Sequence, residues 1–158
     1  MEKIVILKND RTGDLFVSLK AINKIINKHL DKKKIIFLSN INHKFSFLFP
    51  KIDKKIISMN LNLLEKIKIF FYFLFNKVDT AYILTPKSFY YFLPLIFRNT
   101  KFCAITINGL KKRPQNFFKK YLYKYVEIDR LNIKKRKSSY DLQESLIDTN
   151  LTKNQLNN

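Results

Sequence analysis

Glycine is almost missing from this chain: Gly13 and Gly109 are the only two in 158 residues. A Walker-type glycine loop or a G-x-G-x-x-G fingerprint cannot be assembled from them, which excludes two common ways of cradling a nucleotide phosphate. Cysteine is reduced to Cys103, so an intramolecular disulfide framework is excluded and a reducing compartment fits. Set inside an apolar strand, Cys103 reads as an inert core residue. His29 and His43 stand apart, and no Cys/His/Asp grouping has zinc-ligand spacing. His29, near a helix end, reads as a partner for the helix dipole. Long apolar runs are also lacking. Residues 69–75 and 89–97 are the most apolar stretches, and each falls well short of the ~20 residues of a membrane-spanning helix. The N-terminal run 4–7 is soon followed by Lys8 and Asp10, unlike a signal peptide. Acid is scarce, with 12 Asp+Glu against 31 Lys+Arg, a net charge of +19. Such a charge favours polyanions: nucleic acid, anionic lipid headgroups, or phosphorylated glycans and nucleotides.

What the chain does have is apolar content, 46%, with 15 Phe and 8 Tyr. That suffices for one domain with a real core. Residues 4–7 form a β-branched apolar run suited to a strand buried on both faces. A polar turn over 8–13 follows, where Gly13 permits a tight backbone, and a helix opens at Asp14. The pattern then repeats. Apolar runs at 35–38, 56–57, 81–84 and 102–107 predict further strands. A short helix is expected over 43–49, closed by Pro50. Another runs over 63–75, capped by Asn60 or Asn62. A third follows Pro86, with Pro94 inside it, and a fourth is expected over 115–125 with an aromatic side. Alternation on this scale predicts an α/β fold, a Rossmann-like parallel sheet of about five strands with flanking helices. The composition changes after residue 129. Arg130 and the basic run 134–137 read as a linker, followed by a last helix over 140–151.

The turn after the first strand is the strongest chemical candidate. An acid in the first turn of a helix, at a strand's carboxyl end, sits where ligands bind in such sheets. Asp14 there can take a proton from a bound hydroxyl. On residue types alone, a helix cap is the commoner role for Asp14 or Thr12. The segment Lys3-Ile-Val-Ile-Leu-Lys-Asn-Asp-Arg-Thr-Gly-Asp-Leu-Phe-Val-Ser-Leu-Lys-Ala-Ile22 resembles the opening of glycosyltransferase family 9, the ADP-heptose:lipopolysaccharide heptosyltransferases. The Gly-Asp pair of that family maps onto Gly13 and Asp14. The order of elements is similar to about residue 129. After the fourth strand the family often carries an acidic or glutamine-bearing turn, where this chain has Thr85-Pro86-Lys87-Ser88.

The resemblance implies the N-terminal, acceptor-side half of a GT-B glycosyltransferase. It implies a cytoplasmic bacterial enzyme making an inverting, metal-independent transfer from a nucleotide-diphospho-sugar to a lipopolysaccharide-type glycan or lipid-linked acceptor. Asp14 would be the general base, and Thr12 and Gly13 would offer backbone donors. No cofactor is implied beyond the donor co-substrate. By charge, Lys8, Arg11 and Lys87 are assigned to acceptor phosphates; residues such as Lys8 and Arg11 are more often solvated or, here, paired with Asp10. A GT-B enzyme binds its donor in a second Rossmann-like domain. The chain is expected to divide into that first domain over 1–129 and a linker with a terminal helix over 130–158, the second domain being absent. A second domain or a partner chain is then required for turnover. The aromatic helices are read first as core. Their surplus apolar surface suggests an interface with that partner, or peripheral docking on the inner face of the plasma membrane with Lys66, Lys68 and Lys77 at anionic headgroups. The alternative to an enzyme is a basic nucleic-acid-binding or membrane-surface module. Nucleic acid ranks below the glycan, because the chain carries no recognised RNA or DNA motif beyond aromatics interleaved with Lys over 117–125.

Overall fold

The computed structural model describes residues 2–108, 117–129 and 139–147. In chain order these give β1 (Lys3–Lys8), α1 (Thr12–Lys28), β2 (Lys33–Ser39), a 3-10 segment (Asn40–Leu48), β3 (Asp53–Ile57), α2 (Leu63–Phe75), β4 (Val78–Ile83), α3 (Ser88–Ile96), β5 (Lys101–Asn108), a 3-10 turn (Lys119–Tyr121), β6 (Lys124–Asp129) and α4 (Ser139–Ser145). The six strands form one parallel sheet in the order β3-β2-β1-β4-β5-β6.

β1 lies at the centre, and its apolar run is buried on both sides. Successive side chains point to opposite faces. Ile4 and Ile6 pack with Leu15, Ile22 and Ile25 of α1, while Val5 and Leu7 pack with Ile69 and Phe73 of α2 and Tyr90 and Leu93 of α3. The apolar positions of α1 recur at helical spacing, so one stripe meets the sheet. α2 starts where a capping box fixes it. The Asn62 side chain accepts from the Glu65 backbone N–H at 2.8 Å, and the Glu65 carboxylate accepts from the Asn62 N–H at 3.0 Å.

Several expectations need correction. The sheet has six strands rather than five. The helix expected over 115–125 ends early: residues 117–118 are α-helical and 119–121 form a 3-10 turn, after which the chain extends into β6 and Val126 enters the core. Only Tyr125, Val126 and Ile128 of β6 are apolar, and Lys124 and Glu127 hide the strand pattern. The aromatics of 117–125 therefore form no single stacking face. Phe118 packs edge-on to Phe92, and Tyr125 packs against the core. α1 opens at Thr12, two residues before the expected Asp14. His29 does cap the end of α1, but its ring accepts or donates at 2.9 Å to the Tyr82 hydroxyl. Burial, then the charges of Lys28 and Lys32, push its pKa below 6.5, which works against a cationic role at the helix end.

The terminal helix belongs to the same core. Lys20 pairs with Glu144 at 2.6 Å, Lys28 donates to the Ile147 carbonyl, and Leu146 and Ile147 are buried beneath α1. The basic loop 111–114, the start of the expected helix at 115, the linker 130–137 and the end of the last helix lie outside the described residues.

The buried phenols give the fold an alkaline limit. Burial pushes Tyr72 up to about 12, and raises Tyr82 and Tyr90 as well. An unfolded chain ionises these tyrosines near 10.0, so above that pH it holds fewer protons than the native state. Their contribution is intact below pH 10 and is lost as pH rises through the folded values. Cys103, raised from 9.0 to about 11 by burial, acts in the same direction. Lys8, lowered by burial, acts the other way only up to 10.5. Alkaline titration is expected to show the last part of the tyrosinate absorbance, that of these three phenols, appearing together with loss of far-UV circular dichroism. Full ionisation of the phenols before any unfolding would contradict the buried placement.

Candidate functional site

The sheet order places a topological switch between β1 and β4. α1 leaves β1 on one face of the sheet and α3 leaves β4 on the other. The turn 9–11 and the turn 84–87 therefore part from each other at the carboxyl rim, the place where ligands bind in sheets of this kind.

A dense polar network builds that rim. Asn9 is fully buried; its amide donates to the Ser58 carbonyl at 2.9 Å and the Met59 carbonyl at 3.4 Å. Its carbonyl oxygen accepts from the buried Tyr90 hydroxyl at 2.7 Å. Lys87 Nζ donates to the same Met59 carbonyl, so the β3–α2 loop is held from two sides. The Asp10 backbone carbonyl accepts from Ser39 Oγ at 3.0 Å and from Asn42 Nδ2 at 2.9 Å. Three buried atoms at the ends of β1, β2 and β4 have no hydrogen-bond partner among the described residues: Asp10 Oδ1, Asn42 Oδ1 and Thr85 Oγ1. Buried polar atoms are seldom left so, and three of them gather at this rim.

α1 adds donors. Its N-cap, Arg11, has extended backbone and no side-chain cap, so the first N–H groups face the rim uncapped. Neither Thr12 nor Asp14 is the cap, since they occupy the first and third helical positions. Asp14 is exposed, and its carboxylate enters no ion pair among the described residues. Its backbone carbonyl accepts from the buried Ser18 hydroxyl at 2.9 Å, which fixes the first turn.

The sequence-assigned cations fall in different places. Lys8 is 1% exposed, its Nζ donating to Asp10 Oδ2 at 2.7 Å and to the Leu84 carbonyl at 3.5 Å. Burial lowers its pKa against the opposing pull of Asp10 and Asp14. Its charge lies under the rim and organises Asp10. Lys87 is half-buried and bound to Met59, its pKa likewise lowered by burial. Arg11 is exposed and enters no ion pair among the described residues, so of these three cations it is the one left open to solvent.

Gly13 is the second helical residue. Its φ lies outside the left-handed region and a Cβ there meets nothing within 4 Å, so the tight backbone expected of it is not required. What glycine leaves is room in front of the helix terminus. Gly13→Ala is expected to hold or raise the melting temperature, by the equivalent of about 0.4–1 kcal/mol. Weaker binding of a sugar phosphate to the same variant would show that the space is used; unchanged binding would show that it is not.

A pocket of about 440 Å³ opens at the opposite end of the sheet, lined by Glu2, Asn76, Lys77, Asp79 and the 96–100 turn. It touches none of the residues above. Both of its carboxylates are held by Lys32, at 2.9 and 2.8 Å. The rim, with a free carboxylate and unpaired buried atoms, has the better means for chemistry. Asn9, Asn42, Thr85 and Tyr90 were not foreseen as part of it. The available signal was position: Asn9 directly follows β1 and Thr85 closely follows β4, at carboxyl ends. Among the described residues no helix is long and apolar enough to cross a membrane. Comparison with family models, curated proteins and solved structures finds no match, so a reading of this site rests on its geometry.

Proposed function

We propose that this chain is the acceptor-side domain of a glycosyltransferase, with Asp14 as the general base. One observation carries the reading: an exposed carboxylate without an ion pair stands at the carboxyl rim of a switch point, beside uncapped helix donors. In the proposed step, an acceptor hydroxyl gives its proton to the Asp14 carboxylate. The oxygen forms a bond to the donor's anomeric carbon. The bond from that carbon to the nucleoside diphosphate breaks, its electron pair leaves on the phosphate oxygen, and configuration inverts. The N–H groups of Thr12 and Gly13, with Arg11, orient a phosphorylated glycan acceptor. Asn9, Lys8 and Tyr90 hold the rim in register. The resemblance to heptosyltransferases in residues 3–22 supports the same role and carries a cytoplasmic location and a lipopolysaccharide-type acceptor with it.

The described residues form a single sheet, so donor binding and leaving-group stabilisation fall to a second domain or chain. The test has two arms. The chain alone is titrated with a phosphorylated heptose or hexose acceptor while amide shifts are followed; shifts at residues 9–14 are expected. Transfer is then assayed with a donor-binding half supplied. Absence of both acceptor binding and transfer overturns the reading.

A further inference from the structure

We infer that the outer face of α2 and α3 is a docking surface for an anionic membrane. α2 has two apolar faces. Ile69 and Phe73 point into the core, while Leu63, Leu64, Ile67, Phe71, Leu74 and Phe75 point outward. At about 100° per residue those six fall within roughly one third of the helix circumference, so they form one stripe. They are well exposed: Leu63 70%, Leu64 68% and Phe75 77%. Phe71 and Phe75 stack on each other in the open, with ring centres 5.7 Å apart. α3 lies beside α2 on the same face of the sheet, joined through Phe70, Phe73 and Phe97. Its own exposed residues Phe92 and Ile96 extend the apolar surface, and Phe117 continues it beyond Phe118.

Charge selects the occupant. Lys68 lies on α2 and Lys77 and Arg98 follow the two helices, all exposed. α3 carries no charged residue, and the single acid of α2, Glu65, is bound to Ser58 and Asn62. An apolar stripe with a cationic fringe matches an acyl boundary beneath anionic headgroups. A second copy would bring the same fringe of a +19 chain against itself. α2, with 13 residues, is too short to span, so it lies in the plane of the interface. The surface flanks the sheet and leaves residues 9–14 open. It does not rest on the glycosyl-transfer reading, and either stands if the other fails.

The test is co-sedimentation of the chain with vesicles of phosphatidylcholine alone and of phosphatidylcholine with phosphatidylglycerol. Binding is expected only to the second, weakened by salt and reduced at least about tenfold by Phe71→Gln/Leu74→Gln/Phe75→Gln. These side chains are exposed, so the melting temperature is expected to hold; Phe75→Gln alone serves if the triple variant melts early. Four results would overturn the inference. They are no binding to anionic vesicles, equal binding to both kinds, binding unaffected by the variants, or a vesicle-free dimer that the variants dissolve.

Discussion

Asp14→Asn is expected to lower sugar transfer by at least about a hundredfold while leaving the melting temperature within a degree or so of wild type. The asparagine keeps the shape and the hydrogen bonds offered to an acceptor hydroxyl, but it cannot take the proton. Acceptor KM is therefore expected to change little, and the loss to appear in kcat. A hundredfold corresponds to about 2.7 kcal/mol of transition-state stabilisation. Retained turnover would remove Asp14 from the chemistry. A fall in melting temperature would instead make Asp14 structural, against its exposure and the lack of any ion pair to its carboxylate. The capping role that residue types allowed is already closed, since Arg11 occupies the cap position and its side chain makes no capping bond.

The central strands were legible because they are buried on both faces. Residues 4–7, 35–38, 81–84 and 102–105 are continuous apolar runs, and each falls in or beside its strand. α2 was legible at both ends, since Asn62 is a strong cap and Asn76 and Lys77 end the apolar run. The sheet edges were not. β3 faces solvent through Lys54 and Lys55, and β6 carries Lys124, which is buried with its ammonium donating to the Ser145 carbonyl at 2.7 Å, so lysines interrupt the apolar signal that marks a strand. The segment after β2 was seen as helical, but its 3-10 character and its start at Asn40 were missed. It is anchored through Asn42 to the Asp10 carbonyl, a contact across 32 residues. The site divides in the same way. Gly13 and Asp14 sit within one short turn, so a local pattern reveals them. Asn9 becomes the centre of the rim only through Ser58 and Tyr90, 49 and 81 residues away. Local reading offered Lys8 both a ligand role and a pair with Asp10, and the fold gives it Asp10 as a buried partner.

That partner makes Lys8→Ala the substitution with the largest expected cost to the fold. The Lys8–Asp10 pair is 2.7 Å long with side chains 2% and 16% exposed. Removing the ammonium strands a carboxylate whose other oxygen, Oδ1, is already unpaired. Losing one member of a buried pair costs 3–5 kcal/mol, and the slight exposure of Asp10 places the expected loss near the lower end, about 3 kcal/mol. Chemical denaturation read as a shift in midpoint at constant slope measures it. Lys8→Met/Asp10→Asn removes both charges while keeping volume, so it is expected to recover most of the stability. The two single variants complete a cycle that isolates the coupling. The double variant also separates two roles that one lysine can hold. If Lys8 only organises the rim, acceptor binding returns with stability. If its charge also reaches the acceptor through Asp10 and the α1 terminus, stability returns and binding does not. A Lys8→Ala variant as stable as wild type would contradict the pair as a structural element, and would return Lys8 to the list of cations free to meet a phosphate.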